Sequence, residues 1–406
     1  ENETGAVVGN NNNRVADTTP VNLYSGTMHF FGNPDTGTTE TIGPLNAQSG
    51  LASLDARWKT GSIIYGYRSV LMDRGGSGTG AAVLTAQSLN LNNGAHLMMR
   101  GINLGVAGSS ATRVMFDTPP PMVGGGGGAG STTLSILPGV WKTGYLEFVH
   151  VYTPGQNDWV TYDASVGLRA LSSGEYSTLS VGENSDNNAG YDLTGASPTL
   201  DISSPTTVNS LKLLNDTSSG PTTVSGAGPL TLKSGNLLVE HPYEFDGLTM
   251  SVPLDFNGNA GQVVWFPITH QINYLDSPMS NTGGKGVSLS AFQVVYVYFE
   301  DIRIRGNNTY TGPTSINFGR WRISGSSERI PDASDLAVRS SAGFTVDSGL
   351  TETVASLSGA GTLALGNTSS RMILGSGAGL AGAVTLEGAS AYIAPGDMGV
   401  GTLTLS

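Results

Sequence analysis

The chain has 406 residues, of which 58 are Gly, 19 Pro and none Cys, with 12% charged residues and a formal net charge of −12. Gly stands at about twice its average share of about 7% and charge at half its average of about 25%, a profile that excludes a helix-rich enzyme. The 38% hydrophobic content excludes a disordered chain, the aperiodic Gly excludes a collagen-like one, and the acidic balance without a basic run excludes a nucleic-acid partner.

In chain order, residues 1–20 are polar, with four consecutive Asn at 10–13, and read as a flexible N-terminal arm. From 21 onward short strands recur, each a few Val, Ile, Leu, Thr or aromatic residues bounded by Gly, Asn, Asp or Ser. Val21-Asn22-Leu23-Tyr24 and Thr27-Met28-His29-Phe30 come first, followed by Ala82-Val83-Leu84-Thr85 and Ser88-Leu89-Asn90-Leu91. Pro119-Pro120-Pro121 and the five Gly at 124–128 mark an excursion near 116–131, and an aromatic-rich stretch at 256–300 reads as a second one. Between Leu211 and Leu405 a strand, a small-residue turn and another strand return every 8 to 12 residues, as in Ser210-Leu211-Lys212-Leu213, Leu230-Thr231-Leu232, Thr362-Leu363-Ala364-Leu365 and Thr402-Leu403-Thr404-Leu405. The phrases Ser225-Gly226-Ala227-Gly228 and Ser358-Gly359-Ala360-Gly361 are near copies, and their small residues fit corners where stacked backbones leave no room for a Cβ.

Units of roughly 20–30 residues point to a solenoid rather than to a propeller, whose blades repeat at about 40. The expected fold is all-β: one right-handed parallel β-helix over 21–406, a single elongated rod. At about 4.8 Å per stacked strand it would be about 60–85 Å long. No apolar stretch approaches the roughly 18 residues of a membrane span, so none is expected.

The segment Asn307-Asn308-Thr309-Tyr310-Thr311-Gly312-Pro313-Thr314-Ser315-Ile316-Asn317-Phe318-Gly319 resembles the autotransporter-associated β-strand repeat of bacterial surface proteins. Phe318 departs from it where a small residue is usual, and so does Arg320-Trp321 where a Thr-Leu pair is usual. Ile393-Ala394-Pro395-Gly396 with Gly401-Thr402-Leu403-Thr404-Leu405 looks like the closing phrase of such passengers, and looser matches touch most of 21–406. The resemblance implies a secreted β-helix on the cell surface and implies no catalytic residue.

Chemistry finds little support in the residues. Asp158 and Asp163 are the best carboxylate pair for glycan cleavage, but their spacing puts them on opposite faces of a plain strand. Asp301 beside Arg303 and Arg305 reads as a solvated charge ladder. The five His (29, 96, 150, 241 and 270) show no metal-ligand spacing. No cofactor is expected; Asp- and Asn-rich turns such as Asp186-Asn187-Asn188 leave a structural Ca²⁺ open, without an EF-hand or nonapeptide array. Tyr296 and Tyr298 share one strand face and, with Trp321, form a candidate aromatic contact surface for glycans or a subunit.

The first reading is therefore an extracellular structural protein, a fibre, sheath or stalk built by head-to-tail stacking. Its assembly interface would comprise Val7, Val8, Leu23, Met28, Phe30, Leu403 and Leu405. An adhesin or glycan-binding surface protein is the second reading, and a polysaccharide lyase or hydrolase the third.

Overall fold

The computed structural model describes residues 14–32, 36–58, 80–101, 103–143, 155–215, 220–241, 247–267, 272–292, 301–366, 370–374, 384–386, 392–394 and 402–405. These residues are all-β: no α-helix occurs among them, and one 3-10 turn, Ser173–Glu175, interrupts the strands.

The first part of the chain builds three parallel ladders that it visits in turn. Val21–Tyr24 pairs with Leu45–Ser49 and that with Leu89–Leu91. Thr27–Gly32 pairs with Leu51–Trp58, that with His96–Arg100, and that with Val140–Thr143. Thr38–Ile42 pairs with Ala82–Ala86 and that with Thr112–Phe116. Alternation turns Leu23, Ile42, Leu45, Leu84, Leu89, Leu97 and Val114 into one common interior. An antiparallel hairpin, Asn157–Asp163 with Gly167–Ala170, closes this stack.

A second stack follows. Its longest ladder aligns Leu211, Leu237, Val263, Leu289 and Ile316, each paired in parallel with the residue 26 or 27 positions on. A second ladder aligns Leu200, Val224, Met250, Leu275, Ile304, Ile323, Val346 and Leu365, and a third aligns Val354, Leu374 and Leu405. Strand Thr314–Ile323 serves two ladders by bending at Gly319, whose φ of +79° is open to glycine at little cost. The stretch expected as an excursion from 256 is regular where it is described: Gly261–Pro267, Asn273–Leu275, Met279–Ser280 and Val287–Ala291 are strands in register.

The corner phrases behave alike. A Cβ on Gly226 would collide with the Ile202 carbonyl, and one on Gly359 with the Val338 carbonyl, each in the preceding pass of the chain. Both sit at positive φ, +127° and +118°. Glycine is required there twice over, by conformation and by space.

In place of one continuous interior there are two, Leu23 to Leu168 and Leu179 to Leu374, with a third apolar cluster between them. The contacts fix how the stacks lie. Asn93 and Gly50 meet Arg339, Gly94 meets Asn317, His96 meets Ser290 and Gln262, Gly139 meets Asn236, Asn157 meets Glu240, and Thr132 meets Asn188. From Gly50 to Gly139 numbers rise in the first stack while their partners fall from Arg339 to Asn236 in the second. The chain doubles back near 171–179, and the two stacks run side by side in opposite directions.

Candidate functional site: the seam between the stacks

Strands buried on both faces lose the alternation of half-buried ones. In the second stack Leu237, Val239, Val263 and Trp265 point inward, while Leu238, Val264 and Phe266 point out into the seam. From the first stack Leu51, Met98, Trp141 and Trp159 meet them. Trp141 and Trp159 are both fully buried. Phe266, Phe292 and Phe318 stack along the axis with centroids 4.9 and 4.8 Å apart, and Trp141 stands edge-on to Phe292 at 5.4 Å. Each fully buried apolar side chain stabilises the arrangement by roughly 1.5–3 kcal/mol, so this cluster is the main attraction between the stacks.

Two polar groups lie within the seam. His96 is fully buried, its Nδ1 2.7 Å from Ser290 Oγ and its Nε2 2.6 Å from Gln262 Oε1. Gln Oε1 only accepts, so Nε2 carries the proton and Nδ1 accepts from the serine hydroxyl. This is the neutral ring, and burial holds its pKa down at about 4. A His–Ser pair invites comparison with a hydrolase nucleophile. Here both residues are wholly excluded from solvent and the contact crosses from one stack to the other. What the pair does is latch.

The second group is ionic. Glu240, fully buried, accepts from the backbone N–H of Gly155 at 3.1 Å and of Asn157 at 3.3 Å, and from Asn157 Nδ2 at 3.2 Å. Lys212 Nζ lies 3.4 Å from Glu240 and 2.7 Å from Asp158, with the Tyr176 ring 5.6 Å away. Burial alone would lower the Lys212 pKa, but the charges of Glu240 and Asp158 outweigh it and raise it. Asp158, weighed above as half of a catalytic pair, instead holds a lysine across the seam. Asp163 takes the hydroxyl and backbone N–H of Ser165 at its own turn. No shared substrate position joins the two.

The remaining sequence candidates fall in different places. Trp321, expected as part of an exposed aromatic surface, is fully buried; its indole N–H donates to the Phe318 carbonyl at 3.1 Å, and the bend at Gly319 resets the alternation so that Trp321 and Ile323 turn inward. Tyr296 and Tyr298, like Val7 and Val8, lie outside the described residues. Leu23 and Phe30 are buried in the first interior and Met28 packs against it. Leu403 and Leu405 belong to strand Thr402–Leu405, paired with Arg371–Leu374.

Asp301, expected in a solvated ladder beside Arg303 and Arg305, is buried and forms ion pairs with Arg320 and Arg322 instead, because its strand stacks on theirs. Arg322 also reaches Asp347 at 3.1 Å, Arg305 pairs with Asp276 at 2.6 Å, and Arg303 lies over the Tyr274 ring. In the turn considered for Ca²⁺, Asp186 takes Lys233, Asn187 takes Thr132, and Asn188 takes Asn209 and Ser210. Among the described residues no group of three or more His, Cys, Asp or Glu is placed to hold a metal ion.

The seam is the site that reading for motifs missed. Its signal was present: Leu237-Leu238-Val239 and Val263-Val264-Trp265-Phe266 are unbroken apolar runs among alternating strands, the mark of burial on both faces. Compared with family models, curated proteins and solved structures, the chain finds no match.

Proposed function

We propose that the chain is a structural protein of the extracellular surface, a β-solenoid doubled back on itself to make a stiff surface element. The observation that carries this reading is the seam, where the chain's own histidine, lysine and buried glutamate join two stacks that run in opposite directions. The described charges of the ladder at Asp301 are likewise paired along the axis, which is the economy of a scaffold. The right-handed sense follows from the rule that parallel crossover connections take that hand.

Opposed stacks bear on how such a protein assembles. The coil of Leu23, Met28 and Phe30 lies toward the same end as the strand of Leu403 and Leu405, because the second stack extends past Arg339 in that direction. A contact between these coils in two copies closes on itself by two-fold symmetry, whereas an open filament needs a heterologous face. Immunogold labelling of intact, unpermeabilised source cells tests the placement. Label on the outer surface is expected, and label confined to the interior of sectioned cells would contradict it.

A further inference from the structure

The first ladder of the first stack carries an outward row of amides. Asn22, Asn46 and Asn90 are direct register partners on three successive parallel strands. Asn46 Nδ2 donates to Asn22 Oδ1 at 2.9 Å, and Asn90 Nδ2 donates to Asn46 Oδ1 at 2.8 Å. A second row runs beside it: Asn92 Nδ2 donates to Gln48 Oε1 at 3.1 Å, and Gln48 Nε2 to Asn22 Oδ1 at 2.9 Å. All four bonds point the same way, so the amide planes are held in one orientation.

Each primary amide has two N–H groups and two acceptor lone pairs. The ladder uses one N–H and one lone pair of the half-buried Asn46, and its other amide valences take no partner among the described residues. Asn22 Nδ2 and Asn90 Oδ1 have no protein partner among the described residues. The face thus presents fixed donors and acceptors side by side.

Tyr24 lies on the same face, two residues beyond Asn22, and is 68% exposed, the largest exposure of any large hydrophobic side chain among the described residues. A register shift between Leu23 and Tyr24 pairs this residue with Ser49 and leaves Gln48 bulged, and Ser25 follows at φ +52°. Irregularities of this kind re-aim side chains at strand ends. An exposed ring contributes nothing to the interior and stays available to a partner.

We propose that Tyr24 and the amides of Asn22, Asn46, Gln48, Asn90 and Asn92 form a binding surface for a neutral, extended glycan. Sugar hydroxyls both donate and accept, as the free amide valences do, and the Tyr24 ring offers a platform for a sugar's C–H face. Successive rungs are about 4.8 Å apart, the length scale of one unit in an extended sugar chain, so three rungs match a short oligosaccharide. The strands Val21–Tyr24, Leu45–Ser49 and Leu89–Leu91 contain no ionisable group other than the Tyr24 phenol. These strands offer an acidic glycan no cation of their own, and the one guanidinium at their edge, Arg339, is turned to the Asn93 carbonyl, on a chain of net charge −12.

Titration calorimetry of the full chain with cellohexaose, xylohexaose, mannohexaose and an oligogalacturonate tests this. Saturable binding of at least one neutral hexasaccharide is expected, with the oligogalacturonate bound more weakly. Tyr24→Ala and Asn46→Ala should each weaken the bound sugar by about tenfold or more, and Thr223→Ala, on the second stack, should leave it unchanged. Tyr24→Ala removes only an exposed ring, so its effect on binding is readable even if Asn46→Ala loosens the ladder. Absence of binding to all three neutral sugars, tighter binding of the oligogalacturonate, or wild-type affinity in Tyr24→Ala would overturn the proposal.

Discussion

Single buried polar residues tie this fold together, and two of them respond to pH in opposite directions. His96 has a folded pKa near 4 because burial disfavours its charged form, against 6.5 in the unfolded chain. The unfolded state therefore binds the extra proton first, and the contribution of His96 is lost as pH falls from about 6.5 to about 4. Relative to His96→Gln, the wild type should lose about 3 kcal/mol between pH 7 and pH 4, read from denaturant midpoints. A constant difference would mean that the ring is solvated. Glu352 works the other way. Burial raises its pKa to about 8, although it accepts from the backbone N–H groups of Arg329 and Ile330. The folded state then holds the proton that the unfolded state releases, so stability falls as pH rises from about 4.5 to about 8. The advantage of Glu352→Gln over wild type should grow across that window in thermal melts; an advantage that shrinks would reverse the sign. Glu40 uses the same geometry one stack earlier, accepting from the N–H groups of Arg14 and Val15 at 2.9 Å. Both sit in a shared phrase, Thr39-Glu40-Thr41-Ile42 and Thr351-Glu352-Thr353-Val354, which nothing in the composition distinguishes from an exposed strand.

Among the elements, the corners decide register. Gly359 and Gly226 each press against the carbonyl of the pass below, so Gly359→Ala adds a Cβ with nowhere to go on a backbone at φ +118°. Its cost should be about 1–3 kcal/mol. Gly174→Ala, where a Cβ meets open space, is the control that should be near neutral in the same melts. The strands themselves were legible because alternation and small-residue corners are local properties: Leu211 with Leu213 and Leu363 with Leu365 are buried as their spacing predicts. Parallel pairing was legible for a related reason, since near-copied phrases some two dozen residues apart come into register when the chain coils. Trp321 was misjudged because a bend at Gly319 lets one strand serve two ladders, and inward positions shift with it. The seam was harder still. Its partners are separated by 166 and 194 residues at His96 alone, and no local spacing encodes such a contact.

At the scale of the whole molecule, the fold-back converts what would be two wet sheet faces into a second core. Its ionic part is the more sensitive to single changes: Lys212→Met takes from Glu240 and Asp158 the ammonium that they share. Breaking a buried pair in this way costs about 3–5 kcal/mol. The double variant Lys212→Met/Glu240→Gln should recover much of that loss, and a double variant no better than the single would show that the charges are not coupled. Fold-back and single rod differ most in where the first coil lies relative to the later passes of the second stack. Gly50 and Ser25 adjoin Arg339, so exposed Thr27 and exposed Ser340 lie at the same end. Spin labels on Thr27→Cys and Ser340→Cys, in a chain with no other cysteine, measure that directly by electron–electron dipolar spectroscopy. The doubled-back fold predicts a distance at the short end of the accessible range; a separation on the order of 60 Å, about twelve strand spacings along one axis, would contradict it.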